Sequence, residues 1–172
     1  MIAYCRDYVK NLLMGLNIIP VYTRPEDANI YKGLVYSMVE PGREQLKYVN
    51  QRVSKEDSVI PAEGDQPEIP ITTYRYKIYE STLPMYVTII GKNLTQAETF
   101  RQSFLTGLGN RFMDPSNNAV LIEATECETL IETGSIQNPR EGYLLTIMFA
   151  GGVYKDKIVH RITGDIVPVP EI

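Results

Sequence analysis

Apolar residues near the start of the chain recur at three- and four-residue steps. They form one stripe between residues 2 and 16, while Arg6, Asp7 and Lys10 take the opposite face. This period is typical of an amphipathic helix, and Pro20 limits how far that helix can run. The predicted stripe consists of Tyr4, Cys5, Tyr8, Val9, Leu12, Leu13 and Leu16.

The next apolar run, residues 30–39, is almost continuous in its second half, which predicts a well-covered strand. Pro41 and Gly42 follow it as a turn signal. Residues 43–53 mix charged and apolar side chains without a clean period, so they are interpreted as either a variable strand or a short helix.

Residues 54–70 are acidic, hold three prolines and contain few large apolar side chains. Such a composition buries too little apolar surface to offset the entropy cost of ordering. We therefore expect an exposed loop or arm over residues 54–70, and a loop of this length is often functional.

Strict alternation begins at residue 74. Tyr74 and Tyr76 point to one side of the predicted strand, and Arg75 and Lys77 point to the other. The alternation resumes after Pro84, so this region is either one bent strand or a hairpin around residues 81–84.

A second helix follows the alternating region. Thr95 and Glu98 have the spacing of a capping box, in which hydroxyl and carboxylate each accept from a free backbone N–H. Its predicted buried stripe consists of Ala97, Phe100, Phe104, Leu105, Leu108 and Phe112.

The last third of the chain is predicted to form strands. Residues 119–126 alternate, a short β segment covers residues 128–134, and residues 143–149 form an apolar strand. Gly151 and Gly152 then predict a two-residue turn of the mirror type, since both tolerate positive φ. A phosphate-binding loop is the disfavoured alternative, because no helix pattern follows the glycines.

This order of elements predicts an α+β fold, with an antiparallel or mixed β-sheet packed against two α-helices and a long mid-chain loop. The 172 residues are expected to form a single domain, 1–172, which ends in an extended tail over residues 163–172. That tail is rich in proline, so it is interpreted as either a frayed end or an arm laid on a neighbouring subunit.

Charge and cysteine content narrow the possible functions. The net charge is −4 and the basic residues are scattered, which argues against a general nucleic-acid binder. The chain has no apolar run of membrane-spanning length and no secretory pattern, so we expect folding in a reducing cytosol. Cys5 and Cys127 are expected to be buried free thiols rather than a disulfide.

The sequence supplies no catalytic, cofactor-binding or metal-binding motif. His160 is the single histidine and lacks a partnered nucleophile or carboxylate, which favours a surface or interface role. Four acidic residues come close together in the chain: Glu123, Glu126, Glu128 and Glu132. Paired carboxylates can act in glycoside hydrolysis or hold a metal ion, but their alternation with apolar residues favours a solvated strand face.

Tyrosine is unusually abundant, with twelve residues and no tryptophan. Tyrosine is enriched where surfaces become interfaces, although the tyrosines of residues 74–86 could equally belong to the core with hydrated tips. The predicted candidates for subunit or partner contacts are Tyr74, Arg75, Tyr76, Lys77, Glu63, Asp65, Tyr154, Lys155 and His160.

Three stretches give the chain a resemblance to a known family: "YRYKIYESTLPMYVTIIG", the helix "TQAETFRQSFLTGL" and the late "EGYLLTIMFAGGVYKD". With an N-terminal helix and a long mid-chain loop, this arrangement over residues 2–160 resembles tail terminator (tail completion) proteins of long-tailed bacteriophages. Head–tail connector and tail-tube proteins share much of the same order.

The resemblance implies a structural virion protein that is not an enzyme and binds no cofactor. It implies a homo-oligomeric ring, commonly a hexamer, that caps the tail tube, ends its polymerisation and docks to the head or neck. The implied partners are the tail-tube protein and the neck, connector or sheath proteins, with DNA passing through the lumen. A small enzyme using His160 and Glu123–Glu132, and a monomeric protein-binding adaptor, are the alternatives from other classes.

Overall fold

The computed structural model describes residues 1–24, 26, 35–61, 69–132 and 140–160. Two helices and seven strands lie in this part of the chain. They are α1 (Ile2–Gly15), β1 (Val21–Tyr22), β2 (Tyr36–Pro41), β3 (Gln45–Ile60), β4 (Ile69–Gly91), α2 (Leu94–Gly107), β5 (Arg111–Met113), β6 (Ala119–Glu132) and β7 (Arg140–His160).

The strands form one sheet in the order β1-β2-β4-β7-β6-β5, and β3 pairs with β4 outside this path. β1 and β2 are parallel, whereas β2 is antiparallel to β4 and β6 is antiparallel to both β5 and β7. The predicted α+β class with a mixed sheet and two helices is therefore confirmed.

Spatial contacts between Cα atoms divide the chain into two compact units. Unit 1 comprises residues 1–47 and 81–152, and unit 2 comprises residues 48–80 and 153–172. Strands β3, β4 and β7 each contribute one part to unit 1 and the rest to unit 2.

Unit 1 contains a hydrophobic core between the two helices and one face of its sheet. Val9 and Leu13 of α1 and Phe104 of α2 are fully buried in the same cluster as alternate residues of β4 and β7. Complete burial of one such side chain stabilises the fold by about 1.5–3 kcal/mol. The strand residues in this core are Val39, Leu83, Met85, Val87, Ile89, Val120, Ile122, Leu145, Ile147 and Phe149.

An aromatic group at one side of this core joins α1 to the late strands. The ring of Tyr8 stacks on Phe112 with centroids 4.7 Å apart, and Phe112 meets the ring of Phe149 edge-on at 6.1 Å. The hydroxyl of Tyr8 accepts a hydrogen bond of 3.2 Å from the backbone N–H of Gly109. Phe112 therefore packs as predicted, but from β5 rather than from the second helix.

The strands are longer than the sequence pattern predicts. Residues 45–60 form one strand, which settles the ambiguity over residues 43–53 in favour of a strand. The expected loop over residues 54–70 is wrong at both ends, because residues 54–60 continue β3 and residues 69–70 begin β4. Residues 62–68 of that loop, like the predicted tail 163–172, lie outside the described residues.

Residues 69–91 likewise form one continuous strand, so the hairpin alternative around residues 81–84 is wrong. The first half of the predicted strand 30–39 also lies outside the described residues, and β2 covers residues 36–41. Its end at Pro41 agrees with the predicted turn signal.

The predicted turn at Gly151 and Gly152 is also wrong, because both residues lie inside β7. Gly151 is buried, and a Cβ added there would lie 3.0 Å from the Sδ of Met1 and 3.6 Å from a methyl group of Val120. Close packing, not positive φ, therefore explains this glycine.

The predicted helix cap is displaced by two residues. Helix α2 begins at Leu94, and the side chain of Asn93 accepts from the backbone N–H of Gln96 at 2.9 Å. Gln96 in turn accepts from the backbone N–H of Lys92 at 2.8 Å. These two bonds satisfy free N–H groups at the helix start, which is the role that Thr95 and Glu98 were expected to fill.

Both cysteines are free thiols, as predicted, but only one is buried. Cys5 is fully buried in the core of unit 1, and burial raises the pKa of its thiol to about 12. Cys127 is exposed on β6, so the prediction that it is buried is wrong.

Candidate interaction surface

Unit 2 contains parts of three strands, with β4 between β3 and β7. The ring of Tyr48 on β3 meets the ring of Tyr79 on β4 edge-on at 5.5 Å. Farther along β3, the carboxylate of Asp57 accepts a 2.7 Å hydrogen bond from the hydroxyl of Thr72. From the first contact to the second, residue numbers rise along β3 and fall along β4, so these two strands are antiparallel.

An Arg–Asp pair joins β4 to β7 within unit 2. The Nε and Nη2 of Arg75 donate to the two carboxylate oxygens of Asp156 at 2.9 and 3.0 Å. This two-point geometry holds the pKa of Asp156 below its ordinary value, chiefly through the hydrogen bonds from Arg75. Both side chains are more than a third exposed, so the pair fixes register more than it adds stability.

A cation–π contact joins β3 to β4 on the same sheet. The guanidinium of Arg52 lies 5.6 Å from the centroid of the Tyr74 ring. Side-chain contacts therefore hold β4 on both sides, through this contact toward β3 and through the Arg75–Asp156 pair toward β7. The stabilisation expected at such an exposed site is about 0.5–1 kcal/mol.

The described part of unit 2 has no hydrophobic core. Thr72 is the one residue that is buried there, and both core clusters of the described chain lie in unit 1. Neighbouring residues on a strand point to opposite faces, yet Val59 and Ile60 are both exposed, as are Ile158 and Val159. Apolar side chains therefore face solvent on both sides of this three-stranded sheet.

A surface cleft of about 530 Å³ lies on unit 2. Its lining combines a tyrosine ring and an apolar side chain with two lysines that make no ion pair with any described residue. The residues that line it are Asn50, Tyr76, Ile78, Lys155, Asp156 and Lys157. Asn50 has a φ of 46°, a left-handed conformation that interrupts the regular pleat of β3.

Seven of the nine residues predicted to contact a partner belong to unit 2 within the described chain. Glu63 and Asp65 lie outside the described residues. The alternation of the sequence was the signal that identified the β4 members of this set. The seven residues are Tyr74, Arg75, Tyr76 and Lys77 on β4, with Tyr154, Lys155 and His160 on β7.

Sequence reasoning missed a polar cluster in unit 1. The carboxylate of Glu98 accepts from the Nε of Arg101 at 2.8 Å and from Gln102 at 2.9 Å, and Tyr143 also hydrogen-bonds to it. These donors, Arg101 first, lower the pKa of Glu98 to about 2. The bond to Glu98 also raises the pKa of Tyr143.

This cluster attaches helix α2 to the sheet of unit 1. The guanidinium of Arg101 lies 5.1 Å from the centroid of the Tyr143 ring and also hydrogen-bonds to Cys127 on β6. The three-residue spacing of Glu98 and Arg101 was a signal in the sequence. Tyr143 and Cys127 reach the cluster only through the pairing of β6 with β7, which no local pattern reveals.

The acidic residues of β6 lie along a strand edge. β5 pairs with β6 only at residues 119–121, and no other described strand pairs with its outer side beyond them. Glu123, Glu126 and Glu128 are exposed there, as a solvated strand face requires. A register shift between Ala124 and Glu126 marks a β-bulge, and the bulge and the like charges hinder pairing of this edge with a second acidic edge.

The predicted catalytic candidates His160, Glu123, Glu126 and Glu128 are exposed strand residues. Within the described residues, no three His, Cys, Asp or Glu side chains are grouped so that they could hold a metal ion. His160 lies on β7, and the three glutamates lie on β6.

No known protein family matches the sequence, and no curated protein matches it significantly. Neither helix in the described part of the chain combines the length and apolar character needed to cross a membrane.

Proposed function

We propose that this chain is a structural virion protein that forms a ring on the end of a phage tail tube. The ring stops polymerisation of the tube and presents a docking surface to the head or neck. Six subunits are the expected number, with DNA passing through the lumen. In this proposal the protein performs no catalysis, is assembled in the host cytoplasm and remains in the virion.

The sheet of unit 2 is the observation that carries the proposal. A three-stranded sheet needs a buried face or a packed helix for independent stability, and the described part of unit 2 has neither. Exposed apolar patches of this kind mark surfaces that contact another protein. We infer that a partner covers this sheet in the working assembly.

Open strand edges favour identical subunits as that partner. In the described chain, β3 pairs only with β4, so one long edge of the sheet is free to pair. Different surfaces on identical subunits make head-to-tail contacts, and such contacts close into a ring when the rotation permits. A ring also removes the aggregation hazard that free edges create.

The phage assignment rests on the resemblance described above rather than on any single residue. The confirmed α+β fold, with two helices and a mixed sheet, supports it because the resemblance implies such a subunit. The ring is the part that the sheet of unit 2 supports independently.

Multi-angle light scattering and negative-stain images of the purified protein test the ring. The proposal requires a closed oligomer and binding to the end of tubes made from tail-tube protein, with shorter tubes as the result. A monomer at high concentration would contradict the ring and favour the adaptor alternative. Tubes that incorporate the protein along their length would favour a tail-tube component instead.

A further inference from the structure

Two short strand segments with opposite charge remain without a strand partner on their outer side in the described chain. One is the acidic edge, residues 126–131 of β6, and the other is the basic strand, residues 155–160 of β7. β6 covers β7 only over residues 140–150, so the basic strand has β4 on one side alone. Each segment is six residues long.

The charges on the two segments have the same spacing. Glu126 and Glu128 lie two residues apart, as do Lys155 and Lys157, so each pair projects from one face at about 7 Å. All four are exposed and make no ion pair with any described residue. The intervening Asp156 is held by Arg75, which leaves the basic strand with two uncompensated positive charges.

We propose that the basic strand of one copy pairs with the acidic edge of a second copy. The proposal rests on the ring assembly proposed above and identifies the contact that would build it. Pairing would satisfy backbone N–H and C=O groups along both segments, as in β-strand addition. The second copy is the partner chosen because this chain itself carries both halves of a charge-complementary pair.

A parallel register fits the two sequences best. With residue 126 opposite 155, both glutamates meet lysines and Leu130 meets Val159 on the same face. An antiparallel register that joins the same charges would run into the bulge between Ala124 and Glu126. The parallel arrangement therefore uses all six residues of both segments.

The same charges disfavour a symmetric contact between two like segments. Two acidic edges placed together would set glutamate against glutamate, and two basic strands would set lysine against lysine. Like charges directly opposite each other on paired strands are unfavourable. The chain is thereby directed toward head-to-tail contacts, which form a ring or a filament, and away from a two-fold dimer.

Charge reversal tests the proposed contact. The E126K/E128K and K155E/K157E variants should each self-associate about tenfold more weakly than the wild type, or worse, when measured by sedimentation velocity. An equimolar mixture of the two should recover assembly, because each reversed surface then meets its complement. The fourfold variant that carries all the substitutions should assemble alone. Circular dichroism and thermal unfolding confirm that each variant is folded.

A matched control reverses two exposed carboxylates elsewhere. The D7K/E26K variant, with both changes in unit 1, alters the net charge as much as E126K/E128K and should assemble like the wild type. If E126K/E128K and K155E/K157E assemble normally while the wild type forms a ring, the strand contact is wrong and the ring proposal stands. If the wild type is a monomer, both proposals fail.

Covalent trapping provides a second measurement. In a Cys127→Ser background, Ile131→Cys and His160→Cys lie opposite each other in the parallel register and should form intermolecular disulfides on mild oxidation. A ladder of covalent oligomers on a non-reducing gel is the expected result. A control that pairs Ile131→Cys with Met14→Cys, an exposed position on α1, should give none, and equal crosslinking in both would overturn the register.

Discussion

Gly142 is the residue whose substitution should harm the fold of unit 1 most directly. An added Cβ would lie 2.3 Å from the backbone oxygen of Ile89 and 2.4 Å from a methyl group of Ile90. Since a backbone atom cannot move aside cheaply, Gly142→Ala should destabilise the protein by about 1–3 kcal/mol in urea unfolding. Gly151→Ala in the same strand is the control.

The Gly151→Ala control differs from Gly142→Ala in the atom that the new methyl group would contact. At Gly151 the nearest atom is the Sδ of Met1 at 3.0 Å, the far end of a flexible side chain. Its cost should stay below about 1 kcal/mol, partly offset by the lower entropy of the unfolded chain. Equal losses at both positions would show that contact with the backbone of β4 is not the cause.

Glu98 should make stability depend on pH in the acid range. Its folded-state pKa of about 2 lies below the ordinary value of 4.5, so its contribution is complete above pH 4.5 and is lost as the pH falls toward 2. Glu98→Gln should therefore lower the melting temperature near pH 7, and the difference from wild type should shrink between pH 5 and pH 2.

A second glutamine variant separates this effect from general loss of charge. Glu56 is exposed on β3 and has no ion pair with a described residue. Glu56→Gln should melt at the wild-type temperature near pH 7, because the substitution breaks no ion pair with a described residue. A constant difference between Glu98→Gln and wild type down to pH 2 would mean that the bonds to Arg101 and Tyr143 are not made in solution.

The two cysteines should differ in reactivity. Cys127 is exposed, whereas Cys5 is fully buried and its thiol has a pKa of about 12. A thiol reagent at pH 8 should therefore modify Cys127 alone in the native protein and both cysteines in urea. The Cys127→Ser variant is the control and should show no native reaction; rapid labelling of that variant would contradict the burial of Cys5.

Among the elements, helix α2 allows a direct comparison of the expected and observed caps. Asn93→Ala removes the side chain that accepts from the N–H of Gln96 and should cost about 1 kcal/mol in urea unfolding. Thr95→Ala removes no such bond and should change stability by less than about 0.5 kcal/mol. The reverse order of the two effects would support the capping box predicted from sequence.

Elements with one buried face were predictable, and those without one were not. Helix α1 agrees closely with its apolar stripe, because burial against the sheet imposes a period of 3.6. Strand β3 has no buried residue, so no alternation marks it, and its acidic second half was predicted to be a loop. Its strand character depends on pairing with β4, a contact distant in sequence.

Seven of the nine candidate contact residues belong to unit 2, but the way in which unit 2 is built was not predicted. Tyr74 and Arg75 were chosen from alternation and side-chain chemistry, and both lie in unit 2. The absence of a core around them in the described chain could not be predicted, because pattern analysis assumes that each strand buries one face. The Arg75–Asp156 pair could not be predicted from local patterns either, because its members lie 81 residues apart in the chain.

For the whole molecule, the proposed ring requires that the apolar residues of unit 2 drive self-association. Val59 and Ile158 are 52% and 58% exposed in the single chain, so changing them to threonine removes little that the isolated fold buries. If a neighbouring subunit covers them, each substitution should weaken assembly by about 1 kcal/mol or more, a factor of about five to ten per contact.

The Val59→Thr/Ile158→Thr variant should therefore shift the sedimentation profile toward monomer while the melting temperature of the dilute, monomeric protein stays unchanged. Met113→Thr is the matched control, since Met113 is 51% exposed on a strand of unit 1. A ring that forms equally well in all three proteins would mean that unit 2 serves another partner. A loss of melting temperature in the dilute variant would mean instead that these side chains stabilise the subunit itself.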